Sequence, residues 1–339
     1  MKPHVLVARL DNAGDVLLAG PAVRAVAAGS RRVTMLCGTA GRAAAELLPG
    51  VDDIIVFDAP WVAFDAPPAN RTVTDALVDR IATLGVDRAF VLTSFHQSPL
   101  PLALVLRLAG VSQIAATSTD YPGRLLDVRH GVVEGAHEVE QALSLVATLG
   151  HHLPAGDDRR LAVRRPLPQV RPCDEPYVVV HPGASVPARG WDSGRAVALV
   201  ELLAGGGRRV VVTGGPAEQA LTALVAGTAG IDLGGRVDFA GLAGVLDGAS
   251  VVVSGNTGPA HLAAAVGTPV VSIFAPVVPA ARWRPWGVPI VLLGDQDIAC
   301  GGCRARICPL EHQHCLAAVT PEAVAEAVQV LAPQTVVAA

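Results

Sequence analysis

The sequence has little lysine, few aromatic residues and little charge. Lys2 is the only lysine among 339 residues, aromatic residues make up 4% of the chain, and charged residues make up 17%. The formal net charge is -4, and no clustered basic patch is visible. Proteins that bind the phosphate backbone of nucleic acids carry a local excess of basic residues. We therefore predict that nucleic acid is not a partner.

Signals for export or membrane insertion are also missing. The N-terminal stretch MKPHVLVARL has a short β-like run in place of the long apolar core and cleavage site of a secretory signal. Residues 249–281 contain no Asp, Glu, Lys or Arg, but seven Gly and Pro residues divide this run into pieces too short for a transmembrane helix. We predict a cytoplasmic protein whose contact with the inner face of the membrane is at most peripheral.

Two common nucleotide-binding motifs do not occur. The chain has neither G-x-x-x-x-G-K-[ST] nor a G-x-G-x-x-G following its first predicted strand. The first motif cradles phosphates in P-loop proteins, and the second places a pyrophosphate at a helix start in dinucleotide enzymes. Both of these enzyme classes are therefore disfavoured.

The sequence does contain a regular alternation of strand-like and helix-like segments. The strand-like segments are HVLVARL, RRVTMLC, DDIIVF and DRAFVLT in the first half, and YVVVHPG, RRVVVTGG, VDFAG, SVVVSG, PVVSIF and VPIVLL in the second. Helices that lie between strands favour βαβ units and parallel sheets. We predict an α/β fold with two doubly wound, Rossmann-like domains that face a central cleft, where such folds bind ligands.

A break between the two domains is visible at residues 151–176, which are rich in proline and charge and poor in periodicity. We predict one domain over residues 1–160 and a second over residues 161–339. The last helix is predicted over Pro321–Leu331, with Thr320 as its N-cap and a proline at its first position. This helix could pack back on the first domain.

Three predicted strand ends in the second domain are rich in Gly, Ser and Thr. They are HPGAS at 181–185, TGGPAE at 213–218 and SGNTGPAH at 254–261. Glycine lets the backbone approach a ligand, and free N–H groups at a helix start bind anions, helped by roughly half a positive charge from the helix dipole. Each turn taken singly is an ordinary strand-to-helix connection. Three of them in one domain favour a nucleotide-type ligand.

Three blocks of sequence together resemble the ADP-heptose:lipopolysaccharide heptosyltransferase family, glycosyltransferase family 9. They are VARLDNAGDVLLAGPAVRA, VVVHPGASVPARGWDSGRAVALV and GNTGPAHLAAAVGTPVVSIF, in the family's order. The resemblance implies a GT-B architecture with an N-terminal acceptor domain and a C-terminal nucleotide-sugar domain. It also implies inverting transfer of a sugar from ADP-heptose or a related nucleotide-sugar to a hydroxyl-bearing glycan, glycolipid or small molecule. No cofactor is then required for catalysis.

The resemblance assigns roles to residues in the first block. Asp15 aligns with the family's proposed catalytic base, and a carboxylate at a strand-to-helix turn can accept the proton of an acceptor hydroxyl. The alternative for Asp15 is a helix N-cap, a position that aspartate favours. Asp11 is the reserve candidate for the base, and we predict that Asp11 and Asn12 bind the acceptor.

Further residues are expected to hold the donor. Arg189 falls where the family usually has a basic residue against the donor phosphates, and a guanidinium can bind two oxygens at once; the alternative is a solvated loop arginine. Asn256 stands where the family often has Asp, so this residue would hold sugar hydroxyls without a charge. The other predicted donor-binding residues are Gly183, Ser185, Gly214, Gly215, Glu218, Thr257, Gly258 and His261.

Two of these donor-binding predictions have a plain alternative. His261 could donate a hydrogen bond to the diphosphate, or could be a histidine that only packs in the interior. Glu218 could accept a hydrogen bond from a ribose hydroxyl, or could only stabilise the start of the next helix.

Four of the six cysteines lie within sixteen residues, with the spacing C-x2-C-x4-C-x6-C. They are Cys300, Cys303, Cys308 and Cys315. Four thiolates this close can bind a tetrahedral Zn or Fe ion, whereas stable disulfides are less expected in an intracellular chain, and free thiols are the third alternative. We predict a structural metal outside the phosphate region, with His312 and His314 as substitute ligands.

Two other functions compete with sugar transfer. A different GT-B enzyme, such as a sugar-nucleotide epimerase, would need further acids and bases, and the N-terminal block shows no second well-placed carboxylate motif. A non-catalytic nucleotide-sugar-binding module is the other alternative. The retention of both Asp15 and Arg189 favours catalysis.

Overall fold

The computed structural model describes residues 2–62, 66–310 and 314–334. The chain divides into two compact units, Met1–Arg164 and Arg165–Ala339. Each unit is built on its own parallel sheet, and each sheet is enclosed by helices from the same unit.

The first unit contains six strands and six helices in the described part of the chain. The strands are β1 (His4–Arg9), β2 (Arg32–Cys37), β3 (Asp53–Val56), β4 (Arg88–Leu92), β5 (Gln113–Thr117) and β6 (Val128–His130). The helices are α1 (Ala13–Leu18), α2 (Gly20–Gly29), α3 (Arg42–Leu47), α4 (Arg71–Leu84), α5 (Leu100–Leu108) and α6 (Glu138–Ala147). The strand order across the sheet is β3-β2-β1-β4-β5-β6.

The central strand β1 is buried on both faces. Val5, Leu6, Val7 and Ala8 have no exposed surface, as expected for a parallel sheet covered by helices on both sides. Leu6 and Ala8 belong to one core that also contains side chains of α4 and α5, among them Ile81. This packing fixes β1, and with it the residues at its carboxyl end.

The second unit repeats the arrangement. Its strands are β7 (Tyr177–His181), β8 (Arg209–Val212), β9 (Ile231–Asp232), β10 (Val251–Gly255), β11 (Val270–Ile273) and β12 (Ile290–Leu293), in the order β12-β11-β10-β7-β8-β9. Its helices are α7 (Ser193–Gly205), α8 (Gln219–Ala226), α9 (Phe239–Asp247), α10 (Gly258–Val266), α11 (Ala280–Trp283), α12 (His314–Ala317) and α13 (Pro321–Leu331).

Both sheets have the strand order of doubly wound nucleotide-binding folds. The order reverses between β1 and β4 in the first unit, and between β7 and β10 in the second. Ligands of such sheets bind outside the carboxyl ends of the strands at this switch point. The predicted α/β class with two doubly wound sheets is confirmed, and the two switch points are where functional residues should be sought.

Two local features differ from the sequence expectations. The segment VDFAG, predicted as a strand, instead starts α9, because the carboxylate of Asp238 caps the helix by accepting the N–H of Gly241 at 2.7 Å. The last helix, α13, packs on α7 and on the sheet of the second unit, where Val324 and Val328 are fully buried. It therefore belongs to the core of the second unit.

The long run without charged residues forms ordinary secondary structure. Residues 249–281 contain β10, α10 and β11, and their glycines and prolines lie at the breaks between these elements. Within the described ranges, no helix has the length and apolar character needed to span a membrane.

Candidate active site

A buried arginine marks the switch point of the first unit. Arg9 is the last residue of β1 and is 4% exposed. Its Nε lies 2.8 Å from Oδ2 of Asp11, its Nη2 donates to Oδ1 of Asp15 at 2.9 Å, and its Nη1 donates to Oε2 of Glu138 at 3.1 Å. Nη2 also donates to the hydroxyl of Ser94 at 3.1 Å. A buried charge needs such partners, and Arg9 has three carboxylates.

The three carboxylates come from three separate segments. Asp11 lies in the loop after β1, Asp15 in the first turn of α1, and Glu138 in the first turn of α6. The positive end of a helix dipole favours a carboxylate in a first turn. Asn12, which is exposed, holds the N-cap position of α1, so Asp15 does not act as the N-cap.

The electrostatics of this cluster act on Asp11 and Arg9 in opposite ways. The pKa of Asp11 is raised to about 6, mainly by burial. The charge of Arg9 lowers this pKa, and the charges of Asp15 and Glu138 raise it. Gln97 donates to Oδ1 of Asp11 at 2.6 Å, which stabilises the charged form. Burial would lower the pKa of Arg9, but the three carboxylates outweigh burial and raise it. Arg9 therefore stays charged in the folded protein at neutral pH.

The proton on Asp11 should be visible in the stability of the fold. Asp11 binds a proton between about pH 4 and 6, where an unfolded aspartate with a pKa of 3.8 has released it. Its contribution to stability is therefore largest at low pH and falls as the pH rises through this window. We expect Asp11→Asn to remove a pH dependence of the free energy of unfolding of up to about 1 kcal/mol per pH unit. Calorimetric unfolding of parent and variant from pH 4 to 7 measures the difference, and parallel curves would contradict the assignment.

The sequence analysis found no second well-placed carboxylate motif in the N-terminal block, whereas the structure places three carboxylates around Arg9. The fold gathers Asp15 with Asp11 and Glu138, and Ser94 and Gln97 also contact this cluster. Of these five residues, only Asp11 and Asp15 had been predicted. The available signal was Arg9 itself, a charged residue that directly follows four apolar strand residues. Such a residue needs a buried partner.

The second unit has a pocket at its own switch point, between the ends of β7 and β10. The residues that border it include His181, Gly183, Arg189, Trp191, Ser254 and Gly255. Gly183 and Arg189 are thus brought together, as predicted residues of one site. Ser185 is exposed and does not border this pocket.

Arg189 is held against the turn that leads into α10. It ends a short 3₁₀ turn, Pro187–Arg189, and its Nη1 lies 3.5 Å from the carbonyl oxygen of Asn256. A Cβ on Gly255 would stand 3.3 Å from the carbonyl oxygen of Arg189, so glycine permits this close approach. The half-buried guanidinium therefore lies beside the glycine-rich turn.

Glu218 organises a second part of the pocket edge. Its Oε2 accepts the N–H of Gly215 at 2.7 Å and lies 3.8 Å from Nε2 of His181. A Cβ on Gly183 would come within 1.9 Å of Oε1, so the carboxylate packs directly on that glycine. Burial lowers the pKa of His181, and Glu218 acts in the opposite direction. Glu218 thus stabilises its own turn through the hydrogen bond from Gly215, and its contact with a ribose hydroxyl stays a prediction.

The turn before α10 carries the remaining predicted donor residues. Thr257 is the N-cap, but its side chain makes no capping hydrogen bond and lies 3.2 Å from the hydroxyl of Ser254. Asn256 is buried; its amide nitrogen donates to the carbonyl of Ala275 at 3.3 Å, and its Oδ1 has no hydrogen-bond partner among the described residues. His261 is buried in α10. Gly258 begins the helix.

The cysteine cluster lies next to the turn that carries Arg189. Four thiols, all free, border one pocket together with Ala188. The N–H of Ala188 donates to the carbonyl of Arg306 at 2.9 Å, which ties the cysteine segment to this turn. Across the described ranges, no three His, Cys, Asp or Glu side chains are placed as a set of metal ligands. His312 lies outside the described residues.

The family model for glycosyltransferase family 9 (heptosyltransferase) matches residues 99–314. The chain belongs to this family. Lipopolysaccharide heptosyltransferase 3 of Escherichia coli is 31% identical over 170 residues, which are 45% of this chain and 48% of that relative. The match thus spans about half the length of that relative. Lipopolysaccharide heptosyltransferase 1 of Pseudomonas aeruginosa is 29% identical over 263 residues, 70% of this chain and 73% of the relative.

Solved structures resemble this family 9 chain over nearly its whole length. A family 9 glycosyltransferase from Veillonella parvula gives a TM-score of 0.80 at 16% identity and covers 98% of both chains. E. coli heptosyltransferase WaaC with ADP gives 0.72 at 18% identity, over 97% of this chain and 100% of that one. The iron-containing dodecameric glycosyltransferase TibC of E. coli gives a TM-score of 0.56 at 18% identity, over 97% of this chain and 76% of that one. At these identities the likeness establishes the fold alone, which is of the GT-B type.

Proposed function

We propose that this family 9 chain is an inverting glycosyltransferase that moves a heptose from an ADP-activated donor to a hydroxyl of a glycan, glycolipid or small-molecule acceptor. The observation that supports this proposal most is the different chemistry at the two switch points. Carboxylates cluster at the first, which suits proton removal from a hydroxyl. An arginine and glycine-rich turns meet at the second, which suits a diphosphate.

The proposed reaction assigns one task to each unit. In the first unit, Asp15 takes the proton of the acceptor hydroxyl. The hydroxyl oxygen attacks the anomeric carbon of the donor sugar on the face opposite the diphosphate. The bond from that carbon to the diphosphate oxygen breaks, and its electron pair leaves with ADP. In the second, Arg189 and the amides near Thr257 and Gly258 stabilise the charge that develops on the leaving group. Acceptor-binding roles for Asp11 and Asn12 remain predictions.

Recognition of the donor is proposed for the other side chains of the second unit. The buried Oδ1 of Asn256, without a hydrogen-bond partner in the described part of the chain, supports a role in holding a sugar hydroxyl. Glu218 is partly exposed beside His181 and is proposed to border the ribose. Gly183, Gly214 and the neighbouring backbone would let the nucleotide approach closely.

The donor class is tested by thermal unfolding with ADP, UDP and GDP, followed by product analysis with ADP-heptose and candidate acceptors. ADP at one hundred times its Kd should stabilise the binding unit by about 2.7 kcal/mol, which raises its Tm by roughly 5–10 °C. UDP and GDP at the same concentration should give smaller shifts. Equal shifts with all three nucleotides, or no inverted glycoside product with any acceptor, would contradict the proposal.

A sugar-nucleotide epimerase is the second candidate, because Glu138 joins Asp11 and Asp15 in the cluster and adds an acid or base that the sequence had not indicated. Glu138 is 5% exposed and Asp11 is engaged by Arg9 and Gln97, which favours supporting roles for both over direct proton transfer. Incubation with a nucleotide-sugar in the absence of acceptor separates the candidates. An epimerase converts the sugar, whereas a transferase leaves it intact apart from slow hydrolysis.

We also propose a structural Zn or Fe ion at Cys300, Cys303, Cys308 and Cys315. The four thiols border one pocket, and soft thiolates suit both metals. The iron content of TibC, which shares the fold, supports this assignment. Metal binding would draw the thiols together in a segment already tied to the Arg189 turn through Ala188.

Metal analysis of protein purified without chelators tests this site. We expect about one metal ion per chain, and its loss in the double variant Cys300→Ser/Cys303→Ser together with a lower Tm, because tetrahedral sites need all four ligands. Cys173→Ser is the matched control, since Cys173 is free and lies outside the cluster. Parent protein that contains no metal and shows four reactive thiols in this segment would overturn the assignment.

A further inference from the structure

We infer that Arg9 and Glu138 are positioning residues for the Asp15 carboxylate: Glu138 holds the Arg9 guanidinium, and Arg9 holds Asp15. This inference rests on the proposed role of Asp15 as the catalytic base. It concerns two residues, 129 positions apart, that meet only in the folded first unit.

The geometry leaves the Arg9 guanidinium little freedom to turn. Each of its three nitrogens is close to a different carboxylate: Nη2 donates to Asp15, Nη1 donates to Glu138, and Nε lies 2.8 Å from Oδ2 of Asp11. A guanidinium is a rigid planar fork, so its orientation is fixed when several nitrogens are engaged. Nη2 also donates to Ser94, two residues after β4 ends. Asp15 is thus held at a defined angle to the central strands.

The two ends of this support are themselves fixed. Arg9 pairs with Leu92 in the parallel ladder between β1 and β4, inside the core of the sheet. Glu138 opens α6, and that helix start is capped twice: Nδ1 of His137 accepts the N–H of Val139 at 3.2 Å, and Glu140 accepts the N–H of His137 at 2.9 Å. The ion pair therefore joins two rigid elements.

The charge balance indicates more than a structural role. One arginine faces three carboxylates, which leaves an excess of negative charge that stability alone does not require, because apolar replacements of buried ion pairs are often at least as stable. A base next to an uncompensated arginine would hold its proton weakly and would be a poor proton acceptor. Glu138 and Asp11 balance the charge of Arg9, while its hydrogen bond to Asp15 remains.

The test compares Glu138→Gln, Arg9→Lys and the double variant Arg9→Met/Glu138→Met for kcat, donor KM, ADP affinity and the pH profile of transfer. The double variant should lower kcat by about 10- to 100-fold, because small misplacements of a catalytic group are costly. The acidic limb of its pH profile should stay near the parent position, because one cation and one carboxylate are removed together. Donor KM and ADP affinity should stay within about two-fold of the parent.

The single variants separate charge from geometry. Arg9→Lys keeps the charge but not the fork, so the acidic limb should stay near the parent position while kcat falls. Glu138→Gln should move the limb to lower pH, because Arg9 is then less compensated. Arg24→Met is the matched control: it breaks the half-buried pair with Asp157 elsewhere in the first unit and should leave kcat and the limb unchanged.

The outcomes distinguish this inference from the proposed function. If Arg9→Lys and Glu138→Gln, both folded by calorimetry, keep the parent kcat and pH profile while Asp15→Asn does not transfer sugar, the positioning role is overturned and the base assignment stands. If Asp15→Asn transfers sugar at the parent rate, the base assignment fails, and the positioning role fails with it.

Discussion

Asp15→Asn is expected to lower kcat for sugar transfer by roughly 10²- to 10⁴-fold, which is the range that a positioned general base contributes. Asparagine has nearly the same shape as aspartate, and its Oδ1 can still accept the hydrogen bond that Arg9 now donates at 2.9 Å. The carboxylate that would receive the acceptor's proton is lost, while the surrounding cluster is retained. Steady-state transfer assays with saturating donor and acceptor measure the effect.

The same variant should bind ADP within about two-fold of the parent Kd, because the proposed diphosphate residues belong to the second unit. Asp157→Asn is the matched control, since Asp157 is also a carboxylate of the first unit paired with an arginine, Arg24, but lies away from the switch point. This control should retain the parent kcat. Full activity in Asp15→Asn, or an equal loss in both variants, would remove the basis for the proposed mechanism.

Much of the fold could be predicted because its signals are local. A strand buried on both faces is a short run of apolar residues, and β1 and β10 were visible in this way. Helix ends are set by capping chemistry within a few residues: α13 has the predicted bounds, with Thr320 accepting the N–H of Ala323. The glycine-rich turns could be predicted because their residues directly follow the ends of predicted strands.

The carboxylate cluster could not be predicted because its contacts are long-range. The strand β5 has the unremarkable sequence QIAAT, and neither it nor the short β6 nor α6 was assigned, so Glu138 had no place in the predicted topology. A sequence motif shows which residues are near each other along the chain, and Asp11 and Asp15 were found for that reason. The contact between Arg9 and Glu138 on α6 forms only when β5, β6 and α6 complete the first unit, so a local motif does not reveal it.

The turn before α10 illustrates a third limit. The sequence pattern predicted Asn256 as a donor-site residue, but not that it would be buried with its amide nitrogen donating to the carbonyl oxygen of Ala275. Likewise, Arg189 was predicted from its place in a motif, whereas its link to the cysteine segment through Ala188 arises from packing. Burial and packing are properties of the assembled sheet, and no short stretch of residues encodes them.

Arg189→Met is expected to lower kcat/KM for the donor by about 10²- to 10³-fold, the cost of removing one group that stabilises charge in a transition state. Methionine keeps most of the length and apolar contact of the side chain, so the loss reports the guanidinium. Because ADP also contains the diphosphate, we expect the Kd of ADP to rise by roughly ten-fold. This change corresponds to the loss of one hydrogen-bonded charge pair that contributes about 1.4 kcal/mol. Isothermal titration with ADP and steady-state kinetics measure the two effects.

Arg209→Met is the control for Arg189→Met, since Arg209 is exposed at the start of β8, where it pairs with Glu175 at the opposite end of the strands from the pocket. It should change neither ADP binding nor kcat/KM. Arg189→Lys should recover part of the lost activity, because a lysine keeps the charge but cannot bind two phosphate oxygens at once. Unchanged ADP affinity in Arg189→Met, together with unchanged kcat/KM, would place the diphosphate elsewhere in the second unit. A loss of kcat/KM without a loss of ADP affinity would instead mean that Arg189 acts only as the bond to the diphosphate breaks.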